Sequence, residues 1–264
     1  MSQGERTEPS LAELRERLHE LLKLPDEELF SKSGVGTLSE KRLHAALKLL
    51  IQPDRSLHEA AIGRFTADIL ENGTVTEIQT RSLDRLREKL GCYLAEGYSV
   101  NVVYPVAHKK WIVWVDPETK EALPERRSPK TGSYYDALWE LYKIKDYLGS
   151  PGLRLTLLLM DVRDIRRLDG FGKSRKRRSN REERVPVELA GMISLSSPED
   201  YRAMLLPEGL IMPFSAADLA QAARIPSRSA YTAINILLRL GMAAPAGKMG
   251  RRRVYKITEQ GELT

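Results

Sequence analysis

The hydrophobic positions of the chain change period several times. Leu11, Leu14, Leu18 and Leu21 recur at alternating steps of three and four, and Ser10 stands three residues before Glu13, so a capping box opens an amphipathic helix. Residues 25–36 interrupt the pattern. A second helix is predicted over 38–51, with Leu43, Leu47 and Leu50 on one side and Pro53 as its stop. From Leu57 the period becomes two, which predicts strands over 57–62, 65–70 and 74–80, separated by Gly63-Arg64 and Asn72-Gly73. Asn-Gly is a strong hairpin signal, because both central residues of a type I′ turn need positive φ. A helix over 82–96 follows, turning Leu83, Leu86, Leu90 and Leu94 inward and closing at Gly97. The apolar run 98–106 reads as a buried strand and 111–115 as another, with a helix over 135–148 and an apolar strand over 153–162 completing the set.

Helix, meander, helix and strand in this order predict an α/β domain with a mixed β-sheet. The 264 residues, 42% hydrophobic and 30% charged, suffice for one sizeable core or a medium core with a smaller appended domain. No apolar run approaches the roughly 20 residues of a membrane-spanning helix, and Glu5 and Glu8 ahead of Leu11 do not fit a signal-peptide layout. Cys92 is the single cysteine, so neither an internal disulfide nor a zinc cluster is available, and a reducing, cytoplasmic compartment is expected.

The net charge of +6 is concentrated in one place. Between 171 and 184, Lys173, Arg175, Lys176, Arg177, Arg178, Arg181 and Arg184 face only Glu182 and Glu183, a local +5. Such a run reads as a solvated loop whose natural partner is a polyanion.

Beyond it the pattern changes again. Phe214, Leu219, Ala222, Ala223 and Ile225 mark a short helix with Ser215 as N-cap, and 227–240 a second helix with Ala230, Ile234, Leu237 and Leu238 inward. Strands over 242–246 and 254–258 then flank a tip carrying Lys248, Arg251, Arg252 and Arg253. This is the order of a winged helix-turn-helix, which would set Ser227, Arg228, Ser229, Tyr231 and Thr232 at the major groove and the tip on phosphates.

Register arithmetic points to chemistry. If Asn72-Gly73 is the loop, Asp68 lies opposite Glu77; if Gly63-Arg64 is the other, Glu59 lies opposite Asp68. Three carboxylates would then share one face, with Gln79 beside them. Like charges placed opposite one another destabilise a sheet, and a hard divalent cation, Mg²⁺ or Mn²⁺, would offset the repulsion.

Asp68 followed by Glu77-Ile78-Gln79 resembles the D…(E/D)-x-K core of the PD-(D/E)xK nuclease superfamily, the restriction-endonuclease-like fold, over roughly residues 38–115. The resemblance implies that Asp68 and Glu77 bind the metal, Gln79 positions the attacking water, Glu59 adds a metal or water contact, and Glu40 is the helix acid. Gln79 stands where the family usually has Lys, although some branches carry Gln.

Gly170 to Ser174 is no phosphate-binding loop, since Arg167 occupies the place of the first Gly and an Arg-Lys run follows. His19, His44, His58 and His108 are too scattered for a metal cluster, Cys92 reads as packing, and Trp111 and Trp114 as strand core beside Lys109 and Lys110.

The expected organisation is a helical segment (1–36), a nuclease-like α/β domain (37–169), a basic loop and linker (170–213) and a DNA-binding domain (214–264). Removing 214–264 is expected to weaken DNA binding and spare the acidic site. The functional expectation is metal-dependent DNA hydrolysis, with a DNA-binding regulator built on a silent nuclease-like core as the alternative. The Leu11–Leu22 face could also pair two copies as a homodimer.

Overall fold

The computed structural model describes residues 9–29, 42–116, 118–119, 121–167 and 180–258. Glu40 and the cations Lys173, Arg175, Lys176, Arg177 and Arg178 therefore lie outside the described residues. Helix α1 (Leu11–Lys23) begins with the expected capping box, in which the Glu13 N–H donates to Ser10 Oγ and the Ser10 N–H to Glu13 Oε2. A single turn, α2 (Asp26–Leu29), leads to α3 (Arg42–Ile51). Strands β1 (His58–Ile62), β2 (Phe65–Glu71) and β3 (Thr74–Ile78) form the meander, with Asn72 and Gly73 both at positive φ. After a 3₁₀ turn, α4 (Arg87–Ala95) crosses over so that β4 (Ser99–Val115) runs parallel to β3.

Strand β4 is one strand of 17 residues where the sequence predicts two. The polar His108 and Lys109 reads as a break, but the structure absorbs it as a register shift between Ala107 and Lys110. Asp161 from the neighbouring strand compensates: its Oδ1 accepts the Lys109 N–H at 3.0 Å and contacts His108 Nδ1 at 2.7 Å. Beyond a two-residue strand β5 (Arg126–Arg127), α5 (Leu138–Lys143) is shorter than predicted at both ends: its first turn, Tyr134–Ala137, is 3₁₀, and residues 144–149 run on as turns.

Two long strands finish the sheet, β6 (Leu153–Arg167) and β7 (Asn180–Leu195), in the order β1-β2-β3-β4-β6-β7 with β5 on β4. Within the stretch expected as a loop and linker, residues 180–195 form β7, with Arg181 and Arg184 as strand residues, and α6 (Pro198–Leu205) follows with its own capping box. Reading charge alone misses β7, because its backbone pairs with β6 while its arginines find an acid on that strand.

The protein is mixed α/β, a mixed sheet covered by helices on both faces. On one side α1 and α3 bury Leu14, Leu18, Leu43, Leu47 and Leu50 against Ile78, Val103, Leu158 and Leu189. On the other, α4 and α5 bury Leu90, Tyr93, Leu138 and Leu141 against Val75, Val100, Val102 and Leu155. No helix among the described residues is long and apolar enough to cross a membrane.

The last unit contains β8 (Phe214–Ser215), α7 (Ala216–Ala222), α8 (Ser227–Arg239), β9 (Ala243–Met249) and β10 (Arg252–Ile257), the strands pairing as β8-β10-β9. Ser215 caps α7 as expected. Phe214, Leu219, Ile234 and Leu237 belong to the same continuous apolar cluster as Leu138, Leu148 and Tyr201. Arg239 also reaches Asp146 at 3.5 Å. Truncation at 214 would therefore uncover apolar surface of the first unit.

All three tryptophans, Trp111, Trp114 and Trp139, precede α6. Leu237→Ala in α8 should cost about 2–5 kcal/mol and lower the midpoint of a single tryptophan-monitored unfolding transition. An unmoved tryptophan transition would show that the two units unfold independently.

Candidate functional site

The β2–β3 ladder pairs Glu71 with Thr74, Leu70 with Val75 and Ile69 with Thr76, in the register the Asn72-Gly73 turn predicts. It stops one step short of Asp68 and Glu77. Side-chain alternation along β2 breaks at the same point, since Ala67 and Leu70, three apart, pack into one apolar cluster. The Asp68 carboxylate accepts the Ile78 N–H at 2.7 Å, so a side chain satisfies the backbone donor beyond the last rung.

Two helices on opposite faces reach this break. From α3, His44 Nε2 lies 3.4 Å from Asp68 Oδ2. From α4, Lys89 Nζ lies 2.9 Å from both oxygens of Glu77 and donates to the Thr66 carbonyl at 2.7 Å. Tyr93 donates to Glu77 Oε1 at 3.3 Å. Glu77 is 2% exposed. Burial, and next the Asp68 charge, raise its carboxyl to about 7 against the pull of Lys89. Burial pushes Asp68 up as well, but His44, the Ile78 N–H and Lys89 outweigh it and hold that carboxyl below its ordinary value. The pair is thus split into one firmly ionised acid and one that titrates near neutrality.

Glu59 does not join them. The expected row of three carboxylates fails because Glu59 takes φ +56°, and the β1–β2 ladder passes from His58↔Ile69 to Ala60↔Ala67 without pairing Glu59 to Asp68. Its carboxylate instead meets the buried Lys48 at 3.1 Å. Gln79 directs Oε1 to the Arg81 N–H at 3.1 Å, leaving its amide nitrogen as the group able to act elsewhere. Lys89 was not singled out by the sequence, and His44 was read only as one of four scattered histidines. Lys89 sits twelve positions past Glu77 on the crossover helix, where only the tertiary fold brings it back.

Asp68 and Glu77 are hard oxygen donors of the kind Mg²⁺ or Mn²⁺ takes, and one or two carboxylates with several waters is a common Mg²⁺ set. Among the described residues no three His, Cys, Asp or Glu side chains are grouped to hold an ion. Among the described residues these acids form no closed cage for an ion.

A second polar surface lies on the last unit. Along α8, Ser227, Arg228, Tyr231 and Asn235 are exposed, while Thr232 and Ile236 are buried. The Arg228 guanidinium sits 4.8 Å over the Trp139 ring. Ser229 and Thr232 face a groove of about 290 Å³ shared with Tyr135, Leu138 and Trp139 of the first unit. Of the five residues expected to face outward at the start of α8, these two and Arg228 are thus turned toward α5. The β9–β10 hairpin exposes Lys248, Arg251, Arg252 and Arg253 and contains no acidic residue.

The raised Glu77 carboxyl has a stability consequence. Because its folded-state pKa lies above the ordinary 4.5, its contribution is fully present below that value and is lost as pH rises through about 7. The loss is of order 3 kcal/mol. Asp68, held low, acts in the opposite sense, and its contribution disappears only as pH falls through the acid range. Urea unfolding between about pH 5 and pH 8 should show wild type losing stability relative to Glu77→Gln as pH rises. Parallel curves for the two proteins would contradict the assignment.

Comparison with known proteins places the chain among relatives. Residues 41–196 match the family described as a domain of unknown function, DUF8091. An uncharacterized protein of Treponema pallidum (strain Nichols) is 30% identical over 234 residues, covering 86% of this chain and 89% of that protein. No solved structure matches the chain significantly. The matched family segment runs from the start of α3 through the whole sheet to the end of β7, and the Treponema relative extends the likeness over most of the remaining chain. The chain therefore belongs to the DUF8091 family.

Proposed function

We propose that this protein is a divalent-metal-dependent phosphodiesterase of the restriction-endonuclease-like kind, brought to DNA by a C-terminal winged helix. One observation carries the reading: where β2 and β3 part, Asp68 lies near enough for its charge to raise the Glu77 carboxyl, and Lys89 Nζ lies 2.9 Å from both Glu77 oxygens. The order α3, β1–β3, α4 and parallel β4 agrees with the core of that nuclease superfamily, and Lys89 supplies from α4 the ammonium that Gln79 lacks. Fold likeness alone would not argue activity; the assembled acids and base do.

Asp68 and Glu77 would hold the ion, which when bound lowers the pKa of a coordinated water and offsets charge developing on the phosphoryl group. Lys89 balances the second carboxylate, and the Gln79 amide nitrogen can orient a water or phosphoryl oxygen. Tyr231 and Asn235 on the open side of α8 would face bases, while Lys248 and Arg251 to Arg253 would face phosphates.

A second reading, a DNA-binding regulator with a silent core, is favoured by one feature. Lys89 Nζ already meets both Glu77 oxygens and a main-chain carbonyl, the position a cation would take.

Incubation with supercoiled, linear and single-stranded DNA in Mg²⁺ or Mn²⁺ separates the readings. Cleavage is expected, abolished by chelation and reduced at least about 100-fold in Asp68→Ala, Glu77→Ala and Lys89→Met. Binding without cleavage selects the regulator, and neither binding nor cleavage removes both. For binding itself, Arg251→Ala, Arg252→Ala and Arg253→Ala combined should weaken affinity and reduce the slope of log affinity against log salt by about two to three. An unchanged slope would exclude the hairpin from the interface.

A further inference from the structure

The three long strands extend past the parallel core as a ribbon, and one face of its outer end is overloaded with positive charge. Register sets Ile112, Asp164 and Arg184 side by side across β4, β6 and β7, and Trp114, Arg166 and Arg181 in the next row outward. Lys110 lies two residues before Ile112 on β4 and so shares that face.

Asp164 is 1% exposed and receives Arg184 through two bonds, at 2.7 and 3.0 Å. Arg166 and Arg181 stand 4.0 Å from its two oxygens, beyond hydrogen-bond reach. Four cations thus share one carboxylate.

Burial, and next Arg184, lower the Arg181 pKa, while burial outweighs Asp164 at Lys110, where Arg184, Arg166 and Lys130 also press downward. Arg81, three residues past β3, adds its field to Arg181. Within the described residues Lys130 is paired with Asp136, so the acid that faces the cluster directly is Asp164. The Arg166 Nε is buried with no hydrogen-bond partner among the described residues. A buried donor without an acceptor costs about 1–3 kcal/mol, and half-buried like charges add to that cost. Both are explained by an anion that completes the cluster.

Guanidinium groups favour phosphoryl oxygens over other anions when several converge, because their forked donors match tetrahedral oxyanions. The Trp114 ring, 6.0 Å from Arg166, gives the same face an aromatic surface of the sort on which bases and sugars stack.

We propose that this face of the β4–β6–β7 ribbon binds phosphodiester groups of nucleic acid, with Arg166, Arg181 and Lys110 contacting phosphoryl oxygens and Asp164 fixing Arg184 as their anchor. As a nucleic-acid contact it rests on the DNA-binding reading above. As an oxyanion site it stands without that reading.

Two measurements on the full chain test it. Fluorescence anisotropy with a short labelled duplex, titrated against salt, should show Arg166→Gln/Arg181→Gln losing about tenfold in affinity, with the salt slope reduced by about two. The effect should add to that of the hairpin-tip variant. Thermal unfolding at matched ionic strength should show wild type raised by millimolar inorganic phosphate over chloride, and the double variant unmoved.

In chloride the double variant should melt no lower than wild type, because like charges have been removed. Lys110→Gln, at the rim, serves as the second variant should the double one fold poorly, and should itself weaken duplex binding.

Unchanged affinity and slope would overturn the nucleic-acid contact even if phosphate still raised the melting temperature, since only an isolated anion site would remain. Binding of polyglutamate that survives an excess of duplex would overturn it in favour of an acidic protein. A wild type that binds no duplex, yet loses its phosphate response in the double variant, would remove the DNA reading and keep the oxyanion site. Absence of both responses would remove the site.

Discussion

The bond from the Ile78 N–H to the Asp68 carboxylate stands where the β2–β3 ladder has ended, and the acidic pocket takes its shape from it. A strand leaving its partner exposes a backbone donor that must be satisfied. A side chain able to accept that donor is held at the fork, in this case an acid. Once Asp68 is fixed there, Glu77 on the adjoining strand lies within its field, and each acid needs a base from a different layer: His44 from α3 and Lys89 from α4. The pocket therefore depends on both helical layers at once, and neither helix could shift along the sheet without leaving one buried charge uncompensated.

Much of the scaffold was legible in the sequence because local chemistry dictates it. Ser10 with Glu13, Asn72 with Gly73 and Ser215 before α7 each act through bonds or dihedrals a few residues long, and all three appear where the pattern places them. What failed was long-range. His108-Lys109 reads as an interruption until Asp161, over fifty residues on, is known to support the shift. Arg181 and Arg184 read as loop until Asp164 is seen opposite. Of the acidic constellation, the Asn72-Gly73 turn sets the register as far as Ile69↔Thr76, one step before Asp68 and Glu77, whereas Glu59, flanked by the counted pairs His58↔Ile69 and Ala60↔Ala67, leaves the ladder through a left-handed backbone that counting does not foresee. Lys89 carried no signal of its own, since one lysine on an amphipathic helix is indistinguishable from any other.

Asp68, Asp161 and Asp164 share a role. Each lies in a strand interior, where carboxylates are disfavoured, and each meets a demand that regular pairing leaves unmet: a donor beyond the last rung, a shifted register, a cation turned inward. Acids within the sheet mark its irregularities, and the irregularities are where polar chemistry gathers.

The apolar cluster that runs without interruption from α5 into α8 has a geometric consequence. With Arg228 lodged on Trp139 and Arg239 tied to Asp146, the open side of α8 keeps a constant azimuth relative to the long ribbon. A rod-shaped ligand gripped at one of these surfaces would meet the other only at a set number of helical turns away, so the molecule behaves as a caliper whose jaw spacing is cast into its hydrophobic interior.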